Sequence, residues 1–390
     1  LRDPGGDVGF DALWAELERV GRAPSGGYRR FAWTPEDLRL REWFASAAAA
    51  RGLDLVVDRA GNQWAWWGSL NDAPGVVAGS HLDSVPDGGA FDGPLGVVSA
   101  FCAIDALRDQ GLRPSRPLGV VNFADEEGAR FGTACAGSRL LTGALTTERA
   151  LALRDNDAVT LAEALRAAGR PAPRADPDAL RRVGAFVELH IEQGRGLVDL
   201  DAPIGIGTVI WPHGRWRVDL LGEANHAGTT RLADRRDPML DYARLVLAAR
   251  DAAERHGALA TCGKVRVEPN GVNAIPSRVT AWVDARAARP DAVRRVIAEL
   301  PPSTEESWTD ETTFDGALRE GIAAVLDHPP QLATGAGHDA GILAAAGVPS
   351  AMLFVRNPTG VSHSPAEFAE RADCLAGVGA LAAVLQDLST

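Results

Sequence analysis

Apolar positions along this chain fall into two rhythms. Short, mostly apolar runs at 76–78, 117–124, 186–190 and 350–355 have the length of buried strands. Segments with apolar residues at helical spacing lie between them, at 10–20, 97–107, 161–168, 316–326 and 341–346. A further helix is predicted at 34–50, where Thr34-Pro35-Glu36 offers a capping hydroxyl and a first-turn proline, and Gly52 a stop. Two short runs at 53–58 and 63–67, turning at Gly61-Asn62, predict a hairpin whose Trp64, Trp66 and Trp67 pack on the strand. Strands alternating with helices predict an α/β sheet that is at least partly parallel.

The rhythm changes near residue 204. Strands are predicted at 204–210, 216–221, 264–269 and 278–286, and helices at 237–256 and 291–300, while 301–313 carries no clear pattern. This β-β-α-β-β-α order predicts a small antiparallel sheet with helices on one face. After residue 314 the first rhythm resumes. The expected organisation is a discontinuous α/β domain, 1–203 and 315–390, with a separate domain, 204–314, inserted in it.

Composition narrows the partners. The 390 residues are 46% hydrophobic and 24% charged, ordinary values for a globular chain of two or three domains. Lys plus Arg number 40 and Asp plus Glu 52, a net charge of −12, which argues against nucleic acid or an anionic membrane as partner. Four scattered cysteines with no C-x-x-C pair read as reduced, mostly buried thiols. No apolar run approaches membrane-spanning length, and the N-terminal segment lacks a basic-then-apolar signal profile, so a cytoplasmic protein is expected.

The candidate chemistry centres on GSHLDSVPDGGAFDGPLG, 79–96, between the apolar run at 76–78 and the helix at 97–107. His81, Asp83, Asp87 and Asp92 crowd this turn-rich segment, and crowded carboxylates beside an imidazole call for a cation. Asp83, two residues after His81, is expected to share its face and orient the imidazole. The 117–124 run opens directly into Glu126-Glu127, whose adjacent side chains diverge: one can bind a metal while the other serves as a general base. His190 and His363 also follow apolar runs. Singly, each residue fits a structural or solvated role; their recurrence at strand exits points to one site. Gly335 to Ala340 fits G-x-G-x-x-A but lacks the preceding strand of a dinucleotide site, and no G-x-S-x-G elbow occurs.

The segments GSHLDSVPDGGAFDGPLGV, FADEEGARFGTACAGSR, ELHIEQG, GEANHAGTT, NAIPSRVTAWVDAR, GAGHDA and GVSHSPAEF span almost the whole chain. In this order the chain resembles the M20 metallopeptidase-type amidohydrolases. The likeness is to the branch of allantoate amidohydrolases, N-carbamoyl-L-amino-acid hydrolases and β-ureidopropionases. The resemblance implies a mixed-sheet di-metal catalytic domain with helices on both faces, plus an inserted ferredoxin-like α+β domain for dimerisation and closure. It implies that His81, Glu127, His190 and His363 hold two divalent ions, zinc or manganese, bridged by Asp92. Glu126 would be the general base and Asp83 would orient His81. His226 would reach the active site of the partner in a homodimer and hold the oxyanion. Asn273 and Arg286 would hold a substrate carboxylate, with Gln193 and His338 further substrate-side residues.

The implied reaction is hydrolysis of the ureido C–N bond of a small carboxylate. Likeness in GGYRRFAWT and NQWAWWG leans toward allantoate over N-carbamoyl amino acids. A dipeptidase or aminoacylase, and a non-catalytic binding protein, are the alternatives. Arg195, Thr334 and Arg356 stand where relatives often carry Pro, Ser and Pro, and the segment after Arg286 is short; these departures surround the pocket and leave the metal set intact.

Overall fold

Leu118–Phe123, Gly75–His81, Val183–Ile191 and Ser350–Val355 lie side by side in that order and run parallel. They are buried almost throughout, which is why they read as mostly apolar runs and not as strict alternation. The computed structural model describes residues 6–70 and 73–390; residues 1–5, part of the N-terminal segment compared above with a signal peptide, lie outside the described residues. The chain divides into two compact units, one of residues up to Thr208 together with Thr313–Thr390, the other Val209–Thr312.

In the first unit, the hairpin Asp54–Val57 and Gln63–Trp67 extends one edge of the sheet antiparallel to Leu118–Phe123. Ile204–Ile210 extends the other edge, antiparallel to Ser350–Val355. Its apolar pattern above assigns it to the second domain. It joins the large sheet instead, where Ile206 is fully buried in one core with Leu353 and Val355. Helices cover both faces. Pro94–Asp109 and Arg371–Ser389 pack together over Val76, Ala78, Leu189 and Ile191. On the opposite face Ala136–Thr142 packs on Asp339–Ala345, which lies against Val183–Ile191. Strand alternation places Glu188 and His190 on that second face.

The helix Arg371–Ser389 corrects the sequence reading: at 19 residues it is long and apolar enough to cross a membrane by length and composition. Here its Cys374, Val378, Leu381, Val384 and Leu385 are core residues. Thr34 precedes Pro35–Ala50 as expected, but its hydroxyl donates to the Phe31 carbonyl at 2.8 Å and caps nothing. All four cysteines are free, and Cys102, Cys135 and Cys374 are buried.

The second unit holds a four-stranded antiparallel sheet in the order Thr304–Thr309, His213–Leu221, Arg278–Arg286, Leu259–Glu268. Helices Pro238–His256 and Pro290–Ala298 pack on each other and on Arg278–Arg286. The chain order is therefore β-α-β-β-α-β, the ferredoxin-like arrangement. The β-β-α-β-β-α reading counted Ile204–Ile210 and missed Thr304–Thr309, a largely polar edge strand whose periodicity is hidden. Val218, Leu220, Leu245, Val279, Ala281 and Val283 form the core. A short ribbon pairs Asn225–His226 with Ala274–Ile275.

Candidate active site

Parallel strands deliver their C-terminal ends to one edge of the sheet. His81 stands opposite Phe123 in register, and His190 opposite Phe354. The loops leaving this edge carry Asp83 to Asp92, Glu126-Glu127 and, after Val355, His363. In Phe91-Asp92-Gly93-Pro94 the chain turns at once into the helix Pro94–Asp109. Gly93 has φ +86°, and a Cβ there would lie 2.5 Å from Cε1 of His81, so a side chain is excluded on both counts. The turn thereby brings Asp92 back against the end of its own strand.

Asp92 is the hub. Its Oδ1 lies 3.2 Å from His190 Nε2 and 3.6 Å from His81 Nε2. Its Oδ2 lies 3.4 Å from His363 Nε2, which is 3.7 Å from Glu127 Oε2. Gln193 Nε2 donates to Oδ2 at 2.9 Å and to Ser362 Oγ at 3.1 Å. The Phe91 and Asp92 amides donate to Glu367 Oε1 at 2.9 and 3.0 Å, and Ser362 Oγ donates to its Oε2. Glu367 thus ties the loop of His363 to the loop of Asp92. Burial, then the Asp92 charge, pushes its carboxyl up to about 7.

The donor set fits a cation. His81 Nδ1 faces the Asp83 carbonyl at 3.2 Å and His190 Nδ1 the Ile191 carbonyl at 2.9 Å. A carbonyl only accepts, so Nδ1 carries the proton and the neutral ring aims an Nε2 lone pair at the Asp92 carboxylate. Both Nε2 atoms, and Glu127 Oε1, are buried without a hydrogen-bond partner. Two acceptors facing each other need a proton or a metal between them. His81, Asp92 and His190 form one group with ligand atoms within 4.8 Å of one another; Asp92, Glu127 and His363 form a second. Ligands about 2.0–2.2 Å from zinc at tetrahedral angles stand roughly 3.3–3.6 Å apart, the spacing seen around Asp92.

Without a cation, protons must balance this cluster. Burial works against ionising Asp92, but His190 and His81 outweigh it and hold its carboxyl well below the usual range. Burial also disfavours charged imidazoles, yet Asp92 lifts His190 to about 9, and Glu126 with Asp83 and Asp92 lifts His81 well above its ordinary value. Burial pushes Glu127 well up and Glu126 up to about 7. Glu126 Oε2 stands 3.8 Å from His81 Nε2, beside the cluster and in neither of the three-ligand groups that share Asp92.

Asp83 lies against both His81 and the glutamate pair. The strand ends at His81, so the alternation that would aim Asp83 at the imidazole does not continue. Its carboxylate accepts from the amides of Glu126 at 3.1 Å and Glu127 at 3.0 Å, while Oδ1 is 3.5 Å from His81 Nδ1. Asp83 therefore fixes the glutamate pair more closely than the histidine. Asp87 turns away to Arg29 and Ser25. His338 packs edge-on against His190 with ring centroids 4.5 Å apart, and burial, then His190, holds its imidazole well below the ordinary value.

Sequence reasoning missed Glu188 and Glu367. Glu188 is two residues before His190 on one strand face, a spacing that could have found it; it accepts from Ser80 Oγ at 2.7 Å and the Ala340 amide at 2.9 Å. Nothing in the sequence separates Glu367 from a solvated carboxylate. His226, Asn273 and Arg286 belong to the second unit. His226 is exposed, and its Nδ1 accepts from the Gly228 amide at 3.0 Å, so Nε2 carries the proton and can donate. The Asn273 carbonyl accepts from the Ala227 amide at 3.0 Å. Arg286 sets Nε and Nη2 on Asp284 at 2.6 and 3.0 Å, so that edge of the expected anchor is held by its own strand.

Residues 77–387 match the family described as Peptidase family M20/M25/M40. An N-carbamoyl-L-amino acid amidohydrolase of Geobacillus stearothermophilus is 38% identical over 95% of this chain and 96% of its own. The allantoate amidohydrolase of Escherichia coli K12 is 33% identical over 96% of each chain. The crystal structure of AtUAH in complex with glyoxylate superposes with a TM-score of 0.90 at 30% identity, covering 98% of this chain and 97% of that one.

Proposed function

Because the chain belongs to peptidase family M20/M25/M40 and is a metal-dependent amidohydrolase, we propose that it hydrolyses the ureido C–N bond of a small carboxylate. One observation carries this reading: two three-ligand groups share Asp92, with Glu126 beside them. His81 and His190 with Asp92, and Glu127 and His363 with Asp92, would hold two divalent ions, zinc or manganese. Ions bound there supply Lewis acidity, polarising a carbonyl and acidifying water. Glu126 takes the proton from the attacking water at Oε2 and returns it to the leaving nitrogen. Burial raises the proton affinity of this carboxyl. Asp83 holds the backbone from which Glu126 works. Gln193 and His338 would be substrate-side residues, and Asn273 and Arg286 would receive the substrate carboxylate.

Allantoate and N-carbamoyl-L-amino acids are the two candidate substrates. The lean toward allantoate rests on 26–34 and 62–68, where Tyr28, Arg30, Trp64 and Trp66 are buried packing residues. Likeness there records the core, and relatives of both names match this chain at comparable identity. The test is to strip the protein with chelator, restore zinc or manganese, and measure ammonia release from both substrates and from a dipeptide. Turnover of a ureido carboxylate that vanishes on stripping and returns with metal is expected. Fully metal-loaded protein inert on every ureido substrate would sink the reading, and cleavage of the dipeptide alone would move the protein to the peptidases.

A homodimer through the second unit is part of the proposal. Leu240, Val246 and Leu247 of Pro238–His256 are exposed, as is Val265 on Leu259–Glu268, a strand at the end of its sheet. An apolar helix face beside an open strand edge suits a second copy of the same surface. His226 then donates from Nε2 to the oxyanion in the partner's site. Mixing inactive His226→Ala and Glu126→Gln subunits tests this: random pairing should restore about a quarter of the parental activity, since half the dimers carry one complete site. No recovery on mixing, despite subunit exchange, would place His226 outside the partner's site.

A further inference from the structure

The contacts of Glu126 Oε2 follow from the cluster, but those of Oε1 do not. Cys135 Sγ lies 3.2 Å from Oε1. A carboxylate only accepts, so the thiol donates. The backbone reinforces the contact. The amides of Cys135, Ala136 and Gly137 donate to the carbonyls of Glu126, Asp125 and Ala124 at 2.5, 2.9 and 2.8 Å. Cys135 is therefore bound to Glu126 through both its main chain and its side chain.

Two further features set this thiol apart. Cys102 and Cys374 belong to the apolar core cluster, where a thiol serves as a small hydrophobe; Cys135 does not belong to that cluster and faces a carboxylate. Its backbone has φ +54° and ψ +38°, the left-handed region in which glycine is favoured and a side chain is strained. A side chain is kept where its absence would relax the chain, and it reaches the base.

We infer that Cys135 is a positioning residue for the hydrolytic reaction, its thiol holding Glu126 Oε1 so that Oε2 is the oxygen presented to the attacking water. The inference rests on Glu126 being the base. With the donor in place, the carboxylate is fixed at one oxygen by the thiol and along its backbone by Asp83 and Cys135. Without it, Oε1 is left buried with one donor fewer, and the carboxylate turns about its last torsion. Cys135 reaches the reaction through Glu126 and not through the substrate, so its loss lowers kcat and leaves KM in place.

The experiment uses the full-length, metal-loaded protein. Cys135→Ala and Cys135→Gly should each lower kcat about tenfold, the loss expected for one hydrogen bond to a charged group, with KM within about twofold. Metal content should match the parent. Cys135→Gly should melt no lower than Cys135→Ala, because the left-handed position favours glycine. Cys135→Ser, which keeps a donor, should recover most of the lost kcat. The S–H stretching band that disappears in Cys135→Ala should move to higher frequency in Glu126→Ala, a shift that a packing role would not produce. A kcat for Cys135→Ala within about twofold of the parent at equal metal content, a Ser variant no better than Ala, or an S–H band unmoved by Glu126→Ala overturns the inference. Activity surviving in Glu126→Gln instead overturns the assignment of the base. An inert Glu126→Gln beside a fully active Cys135→Ala removes Cys135 alone.

Discussion

Glu126→Gln is expected to keep its metal and lose about 10²–10⁴-fold in kcat, the usual contribution of a positioned general acid–base. The amide preserves the shape of the side chain and can still accept at Oε1 from Cys135. What it cannot do is take a proton from water at the position 3.8 Å from His81 Nε2. Glu126 is in neither of the three-ligand groups that share Asp92, so metal analysis of the variant should match the parent. KM should move little, because substrate is held by other groups. Substantial turnover in the variant would transfer the proton role to another residue. Loss of metal together with activity would make Glu126 a ligand.

Asp92→Ala has the larger consequence for occupancy. One carboxylate belongs to both groups, with Oδ1 toward His190 and His81 and Oδ2 toward His363. Removing it takes a ligand from each ion at once and leaves the imidazoles without the negative charge that holds them together. Loss of an outer-shell partner costs roughly 10–100-fold in metal affinity, so loss of the shared ligand should cost more than about 10²-fold for each ion. Metal measured after gel filtration should fall toward zero, with activity at background. Asp92→Asn, whose carbonyl can still coordinate, should fall between. The secondary structure should be unchanged by circular dichroism, since Asp92 lies in a loop outside the strands. Two ions retained at parental affinity in Asp92→Ala would dissolve the shared-carboxylate reading.

How far the chain could be read depends on what kind of signal each element leaves. Ile204–Ile210, Arg278–Arg286 and Ser350–Val355 are located to the residue by their apolar patterns, because Gly, Pro or polar residues stop them at both ends. The pattern does not say which sheet Ile204–Ile210 joins, since pairing is decided by what Ile206 can bury against. Thr304–Thr309 escapes because an edge strand this polar has no rhythm. Arg371–Ser389 escapes for the opposite reason: its Ala, Leu and Val positions leave little amphipathic contrast. At the site, His81, Asp92, Glu127, His190 and His363 are legible as residue types at strand exits, and the structure brings all five together around Asp92. The attachment of Asp83 to two amides is not, because backbone donors leave no letter in the sequence. Cys135 is hidden likewise: nothing in FGTACAGSR tells a core thiol from one turned toward a carboxylate.

The order of strands in the large sheet also bears on when the molecule becomes competent. Ser350–Val355 lies between Val183–Ile191 and Ile204–Ile210, partners made some 150 residues earlier in synthesis. His363 follows this strand. On the ribosome, every other ligand emerges well before the segment that closes the gap, so the nascent polypeptide carries a half-built cation cage with its sheet open down the middle. Pairings this distant in sequence are slow to form, and an open sheet of this kind invites wrong neighbours. The cage and the last interior strand are finished together, which makes metal loading a report that the whole chain has arrived.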